Sequence, residues 1–201
     1  MGPGKPCGVS GEFYGNEVHS SLSGYWWDPS SLVTGCREIS GITAWSIYMY
    51  GFYTETKKVG EVRLTGFKAA DIHGAAIDSF VIGGSSLGHD LVDRKVSVTN
   101  ALLVGATANA GDCNDPSDKP GLHTCKHYMA YCGHLNKMPY SGIVIPNFMS
   151  GANMAPLIKP WYDAGSYPNL LGRTDIDGVT FADYGSRCGK TMSAIRANPA
   201  A

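Results

Sequence analysis

Hydrophobic residues along this chain occur in short runs and not in helical stripes. Apolar positions do not recur at the spacing of an amphipathic helix over any long stretch. Instead, β-branched and aromatic residues form short clusters that Gly, Asn and Asp interrupt. Such clusters are typical of β-strands, so the pattern predicts an all-β fold. The predicted strand regions are 42–53, 61–67, 76–82, 95–104, 141–146 and 174–181.

Three segments repeat one pattern of residue types. An aliphatic residue is followed by Thr or Asp and then by Gly or Asn, and a second short strand begins at once. Gly and Asn tolerate left-handed backbone angles, so the third position predicts a sharp corner between two strands and not a hairpin. The segments are VRLTGFKAAD at 62–71, VSVTNALLVG at 96–105 and TDIDGVTFAD at 174–183.

The spacing of this repeat favours a right-handed parallel β-helix with long irregular loop insertions. The pattern recurs after 34 residues, from Leu64 to Val98, and after 78, from Val98 to Ile176. We interpret the longer interval as roughly three coils of about 26 residues. A sandwich or a jelly roll is the alternative. A single domain over 1–201 is expected, in which 2–10 and 191–201 cap the coils or dock neighbouring chains.

A polar segment rich in Cys and His interrupts the strand pattern at 106–138. It is predicted to be a surface loop insertion, and loops of this length are usually functional or covalently restrained. The even number of cysteines, 6, favours disulfides, although their spacing does not determine the pairing. The disulfide candidates are Cys7, Cys36, Cys113, Cys125, Cys132 and Cys188.

The same loop contains a Cys-x-His pair twice, Cys125 with His127 and Cys132 with His134. Thiolate and imidazole are ligands that zinc prefers, but this spacing departs from that of common zinc sites. The favoured interpretation is a disulfide-tied loop with solvent-facing histidines, and a metal site is the alternative. No other cofactor is expected.

Composition and charge exclude several classes of protein. Hydrophobic residues make up 43% of the chain and charged residues 16%, which excludes a disordered chain and a coiled coil. The net charge is −1 without a long run of like charges, so no nucleic-acid partner is expected. No apolar stretch is long enough to span a membrane, and the opening MGPGKPCGVSGEF does not resemble a signal peptide. If the protein is extracellular, we therefore expect a fragment or module of a larger chain.

Acidic, imidazole and aromatic side chains outside this loop are candidates for a glycan site. Carboxylates and imidazoles can act as acid and base on a sugar chain, and Trp rings can form a sugar platform. The structural interpretation is that Asp and His cap strand ends and that the tryptophans pack in the core. In the same interpretation, 19–21 lies in a hydrogen-bonded turn that leads into the aromatic residues at 25–27. Exposed rings in a row would favour a carbohydrate-binding module. The candidates are His19, Asp71, His73, Asp78, Trp26 and Trp27.

Four longer stretches carry a resemblance that the periodicity does not. They are GNEVHSS at 15–21, ITAWSIYMYGFY at 42–53, VSVTNALLVGAT at 96–107 and IKPWYDAGSYPNLLGRTDIDGVTFADYG at 158–185. Together they resemble the fibrocystin-like family, to which the cell-migration-inducing and transmembrane hyaluronidases are more distantly related.

The resemblance implies a right-handed parallel β-helix of the pectate-lyase type, from the ectodomain of a large cell-surface or ciliary-surface protein. It implies a non-enzymatic structural or adhesive module that serves as a rigid scaffold for other extracellular proteins, in a filament or surface assembly. A polysaccharide-active, hyaluronidase-like enzyme is the alternative, and a carbohydrate-binding module with a glycan partner is the third hypothesis. No catalytic residue of the hyaluronidases matches this sequence position by position, so none is assigned.

Overall fold

The computed structural model describes residues 7–9, 14–27, 33–55, 59–80, 94–110, 141–145, 172–187 and 190–197. These residues form β-strands joined by corners, and no helix occurs among them, which confirms the all-β prediction. The strands are β1 Gly8–Val9, β2 Glu17–Ser21, β3 Tyr25–Trp27, β4 Val33–Ser40, β5 Thr43–Ile47, β6 Tyr50–Glu55, β7 Val59–Thr65, β8 Lys68–Ile72, β9 Ala75–Phe80, β10 Arg94–Thr99, β11 Leu102–Val104, β12 Ser141–Ile145, β13 Gly172–Asp177, β14 Thr180–Ala182, β15 Ser186–Arg187, β16 Lys190–Thr191 and β17 Ser193–Ala197.

Three sheets of five parallel strands each form the body of the described structure. Sheet A has the order β1-β4-β7-β10-β13, sheet B the order β2-β5-β8-β11-β14, and sheet C the order β3-β6-β9-β12-β17. The chain passes from sheet A to B to C and returns to sheet A, so that every circuit adds one strand to each sheet. Five such circuits, or coils, make a parallel β-helix, which confirms the predicted fold class. A short antiparallel pair, β15 with β16, lies within the last coil.

The three segments that repeat in the sequence are paired in register in sheet A. Leu64, Val98 and Ile176 are direct neighbours in successive coils. The corner that follows them has positive φ at Gly66 (66°), Asn100 (53°) and, in the next coil, Gly178 (61°). The amides of Gly66 and Asn100 donate to the neighbouring coil, to Thr99 O at 2.9 Å and to Asp177 O at 3.0 Å. The repeat therefore marks the corner between sheets A and B.

The interpretation of the 78-residue interval as three coils is wrong. Val98 and Ile176 are paired in adjacent strands, so a single circuit separates them. That circuit is long because 105–140 lies between β11 and β12, and 146–171 lies between β12 and β13. Insertions at the corners lengthen a coil without adding a strand to any sheet.

Two coils precede the repeat. Ile39 of β4 is in register with Leu64. Gly41, with a φ of 63°, forms the corner that joins β4 to β5. The predicted turn at 19–21 is wrong, because residues 17–21 form β2, which pairs with β5. The predicted caps also contain strands: β1 pairs with β4 at one end, and β17 pairs with β12 at the other.

The core runs through the coils as columns of stacked apolar side chains. Alternate residues of each strand point inward, and the parallel register places similar residues one above another. The side chains are fully buried in the middle coils, so each coil contributes apolar surface to one continuous core. Its members include Ile39, Leu64 and Val98 from sheet A, Ala44, Ala69 and Leu103 from sheet B, and Phe52, Ile77 and Ile143 from sheet C. A second cluster of buried residues comprises Met49, Tyr50, Tyr53, Ala75 and Val144.

Candidate functional site

Sheet B presents a regular outer surface on which side chains follow two rows. The alternation along each strand turns Val18, Ala44 and Ala69 inward and their neighbours outward. The first outer row consists of Glu17, Thr43, Lys68, Leu102 and Thr180. The second outer row consists of His19, Trp45, Ala70, Val104 and Ala182.

An aromatic cluster lies on this surface in the first two coils. The imidazole of His19 and the indole of Trp45 stack with ring centroids 4.2 Å apart and planes 12° from parallel. The indole Nε1–H donates a 2.5 Å hydrogen bond to Glu17 Oε1, which fixes the ring in its plane. Trp45 nevertheless keeps 38% of its surface exposed. We call Glu17, His19 and Trp45 the Trp45 cluster.

The parallel register explains why these residues meet. His19 and Trp45 are Cα partners in β2 and β5, and Glu17 lies two residues before His19 on the same face. Residues 28 positions apart, Glu17 and Trp45, thereby come into contact. The sequence pattern indicated His19 but not Trp45 or Glu17. Periodicity alone does not show which residues of two coils share a register. Both residues do lie in the stretches that carried the family resemblance.

Asp71 lies near the end of β8, at the corner between sheets B and C, and its side chain is hydrogen-bonded within the protein. Its φ is 54°, and its side chain is buried with 8% of the surface exposed. The carboxylate accepts hydrogen bonds from the Thr107 amide (2.7 Å) and the Thr107 hydroxyl (2.8 Å). Ser20, Ser46 and Asp183 adopt the same backbone conformation at this corner in other coils. Asp71 therefore anchors the segment that follows β11.

His73 and Asp78 lie further along the same coil. His73 follows β8 and its ring is 5.9 Å from that of Tyr48. Asp78 belongs to β9 of sheet C and is 3% exposed. Asp71 thus lies at the corner between sheets B and C, Asp78 lies on sheet C, and His19 lies on the outer face of sheet B. The residues proposed for acid and base chemistry do not share one sheet.

The proposed tryptophans also occupy different surroundings. The expectation that the tryptophans pack in the core is wrong for Trp26 in β3, which is 49% exposed and whose ring lies 4.2 Å from that of Tyr53. Trp27 is half-buried and packs against the core. Among the described residues, the exposed tryptophans are Trp26 and Trp45, which lie on different sheets, C and B, and so do not form one row.

Two curated proteins match the chain over nearly its whole length. Fibrocystin-L of Homo sapiens is 30% identical over 206 aligned residues, and fibrocystin-L of Mus musculus is 29% identical over 210. Both alignments cover 98% of this chain. These matches confirm the resemblance to the fibrocystin-like family that the sequence motifs indicated.

The fibrocystin-like chain spans only 5% of the length of each of these relatives. No protein-family model matches it, and neither does a solved structure. Within the part of the chain that the structure describes, no helix is long and apolar enough to cross a membrane.

A disulfide joins Cys7 to Cys36 in the fibrocystin-like chain, with 4.6 Å between the two Cα atoms. It links the region of β1 to β4, the neighbouring strand of sheet A. Around it, Cys7, Cys36 and Glu61 are the one group of metal-ligating residue types found among the described residues, but both sulfurs are engaged in the disulfide. The predictions for Cys113, Cys125, His127, Cys132, His134 and Cys188 lie outside the described residues.

Sheet A of the fibrocystin-like chain carries a network of ion pairs on its outer face. Glu61 accepts from Arg63 (3.1 Å) and Ser97 (3.1 Å), and Lys95 Nζ lies 3.2 Å from its carboxylate. Burial raises the pKa of Glu61, but the hydrogen bonds from Lys95, Ser97 and Arg63 outweigh it and hold the pKa below its usual value. Lys95 also reaches Asp175, at 3.7 Å, so the network crosses three coils. Charge is balanced within this face, which therefore offers no strong field to a charged partner.

Proposed function

We propose that this chain is a non-enzymatic structural or adhesive module on the outside of a cell-surface protein, where its β-helix serves as a rigid scaffold for protein assembly. The observation that carries the proposal is the continuous hydrophobic core that runs through the stacked coils. Each coil is hydrogen-bonded to its neighbours through three parallel sheets. A β-helix of this kind is rigid along its axis and presents flat lateral faces to partners.

An extracellular location is supported by the disulfide between Cys7 and Cys36, since structural disulfides persist in oxidising compartments. The similarity to fibrocystin-L supports the same location. We extend the proposal to the ciliary surface and to a filament or surface assembly, which the family resemblance implies.

A non-enzymatic role is supported by the surroundings of the candidate carboxylates. Catalysis on a polysaccharide requires two carboxylates, or a carboxylate and a His, that converge on one bond. Asp71 is instead committed to hydrogen bonds with Thr107, and Asp78 is buried on another sheet.

The location is tested on intact cells of the native source with an amine reagent that does not cross membranes. Lys68 is exposed on sheet B and should be labelled without permeabilisation. Peptide mapping under non-reducing conditions should recover Cys7 linked to Cys36. Labelling only after permeabilisation, together with free thiols at both cysteines, would contradict an extracellular module.

The scaffold role is tested against the enzymatic alternative with the same material. Cross-linking on intact cells should join the chain to other extracellular proteins, while the purified chain should leave hyaluronan and other polysaccharides at their original length. Depolymerisation that is lost in Asp78→Asn but not in Glu38→Gln would contradict the proposal and establish a hydrolytic or lytic site.

A further inference from the structure

We propose that the Trp45 cluster is a binding site for a neutral pyranose ring of an extracellular glycan. This inference goes beyond the scaffold role and does not depend on it, because it concerns three side chains on one face of sheet B. It rests on the geometry of the rings, on the charges beside them and on the size of the surface.

One face of the Trp45 indole is covered and the other is open. The two rings are stacked and their Cα atoms are register partners, so the ring normal runs along the axis of the coils. His19 therefore covers the face toward the first coil. The opposite face is turned toward the third coil, where the register partner is Ala70. An alanine side chain is too short to cover an indole, which agrees with the 38% exposure of Trp45.

The open face is held in place before any ligand arrives. Glu17 accepts from the indole N–H at one edge, and the stacked imidazole supports the far side. Because the N–H is already bonded, the ring offers its apolar face and not its polar edge. The C–H bonds on one side of a pyranose ring present a flat apolar surface that packs against such a face, and a pre-organised aromatic ring binds without loss of its own rotamer freedom.

Polar groups beside the ring match the hydroxyls of a sugar. Thr43 and Lys68 occupy the first outer row next to Trp45 and Ala70, and Glu17 lies at the indole edge. The carboxylate and the ammonium group are of opposite sign, so the surroundings favour neither an anionic nor a cationic ligand. A neutral sugar, which supplies both donors and acceptors, is the ligand that these groups fit.

The surface is too small for a stable protein interface. Such an interface buries about 800 Å² on each partner around several large anchors. On the outer face of sheet B, the large exposed apolar side chains are Trp45 and Leu102, which lie in different rows and two coils apart. A single ring with a short neighbour accommodates one sugar residue.

The test is a titration of the full ¹⁵N-labelled chain with cellotetraose, maltotetraose, chitotetraose and tetragalacturonate, followed by nuclear magnetic resonance. We expect at least one neutral tetrasaccharide to shift the Trp45 indole N–H, with a Kd in the range of about 0.1–1 mM. Trp45→Ala, in which binding is followed through the backbone amides of β2, β5 and β8, should bind that sugar about tenfold more weakly, which corresponds to about 1.4 kcal/mol. Trp26→Ala is the matched control, because it removes an exposed tryptophan from sheet C and should leave the affinity unchanged.

A second variant guards against a folding effect of the first. Ala70→Leu keeps Trp45 and places a larger side chain in front of its open face, so it should weaken binding as Trp45→Ala does. The proposal is overturned if no neutral tetrasaccharide shifts the Trp45 signal, if tetragalacturonate binds more tightly than every neutral sugar, or if Trp26→Ala weakens binding as much as Trp45→Ala.

Discussion

Left-handed backbone occurs at the corner between sheets A and B in all five coils, and at the corner between sheets B and C in four of them, and a small set of residue types adopts it. At the corner between sheets A and B, Gly occupies the position in most coils and Asn100 occupies it in one. At the corner between sheets B and C, Ser46 and Asp71 are among the residues with positive φ. The first corner was predictable, because Gly and Asn are the residues that visit this region most readily. The second was not, because Ser and Asp are common in many other conformations.

Gly66 gives a test of the corner at single-residue level. Its φ is 66°, and the nearest atom to an added Cβ would be Gly41 N at 3.9 Å, so a side chain meets no clash there. Gly66→Ala should therefore cost about 1–2 kcal/mol of unfolding free energy from backbone strain alone. Gly66→Asn is the matched control and should cost less, as Asn100 shows at the same position in the next coil. Equal stability of Gly66→Ala and the native chain in urea denaturation would be inconsistent with this corner.

At the scale of strands, sheet A joins its coils through side chains as well as backbone. The Cys7–Cys36 disulfide links the first two coils, and the network around Glu61 links the third to the fourth and fifth. Neither could be read from the sequence. Charged residues such as Glu61 and Lys95 are 34 positions apart, and only the register of β7 and β10 makes them neighbours.

The Glu61 network predicts a dependence of stability on pH. Because the folded pKa of Glu61 is below its ordinary value of 4.5, its stabilisation is fully present above that value and is lost as the pH falls through the folded pKa. Glu61→Gln should lower the free energy of unfolding by about 1 kcal/mol at neutral pH, as expected for a partly exposed network. The difference from the native chain should shrink in acid.

Glu38→Gln is the control for this experiment, since within the described part of the chain Glu38 pairs with Arg63 at the longer distance of 3.9 Å. Its effect at neutral pH should be smaller than that of Glu61→Gln. A Glu61→Gln effect that stays constant from neutral pH into acid would show that the charge of Glu61 contributes nothing.

The position of the disulfide predicts that the first coil unfolds before the others when the bond is removed. Replacing both Cys7 and Cys36 by Ser frees a loop whose ends are 29 residues apart, and the expected loss is about 3 kcal/mol. Hydrogen exchange should rise in the first coil, at β2 and β3, before it rises in β7. Uniform protection in the double variant would mean that the first coil is held by its backbone pairing alone.

At the scale of the whole molecule, the fold was predictable and the arrangement of its side chains was not. The strand pattern and the corner motif at 62–71, 96–105 and 174–183 indicated a parallel β-helix, and the structure places the three segments one above another. The number of coils between Val98 and Ile176 was wrong, because spacing cannot distinguish an extra coil from an insertion at a corner. The Trp45 cluster was seen only in part, since its members come from two coils.

The rigid scaffold depends on the stacking of the coils, and interstrand nuclear Overhauser contacts between backbone protons of the full chain test this most directly. In the stacked β-helix, Val98 should show contacts to the level of Leu64 on one side and to that of Ile176 on the other, with the pattern of parallel strands. Contacts in the antiparallel pattern, or a Val98 strand that has no contact with the strand of Ile176, would contradict the stacked β-helix and the scaffold function built on it.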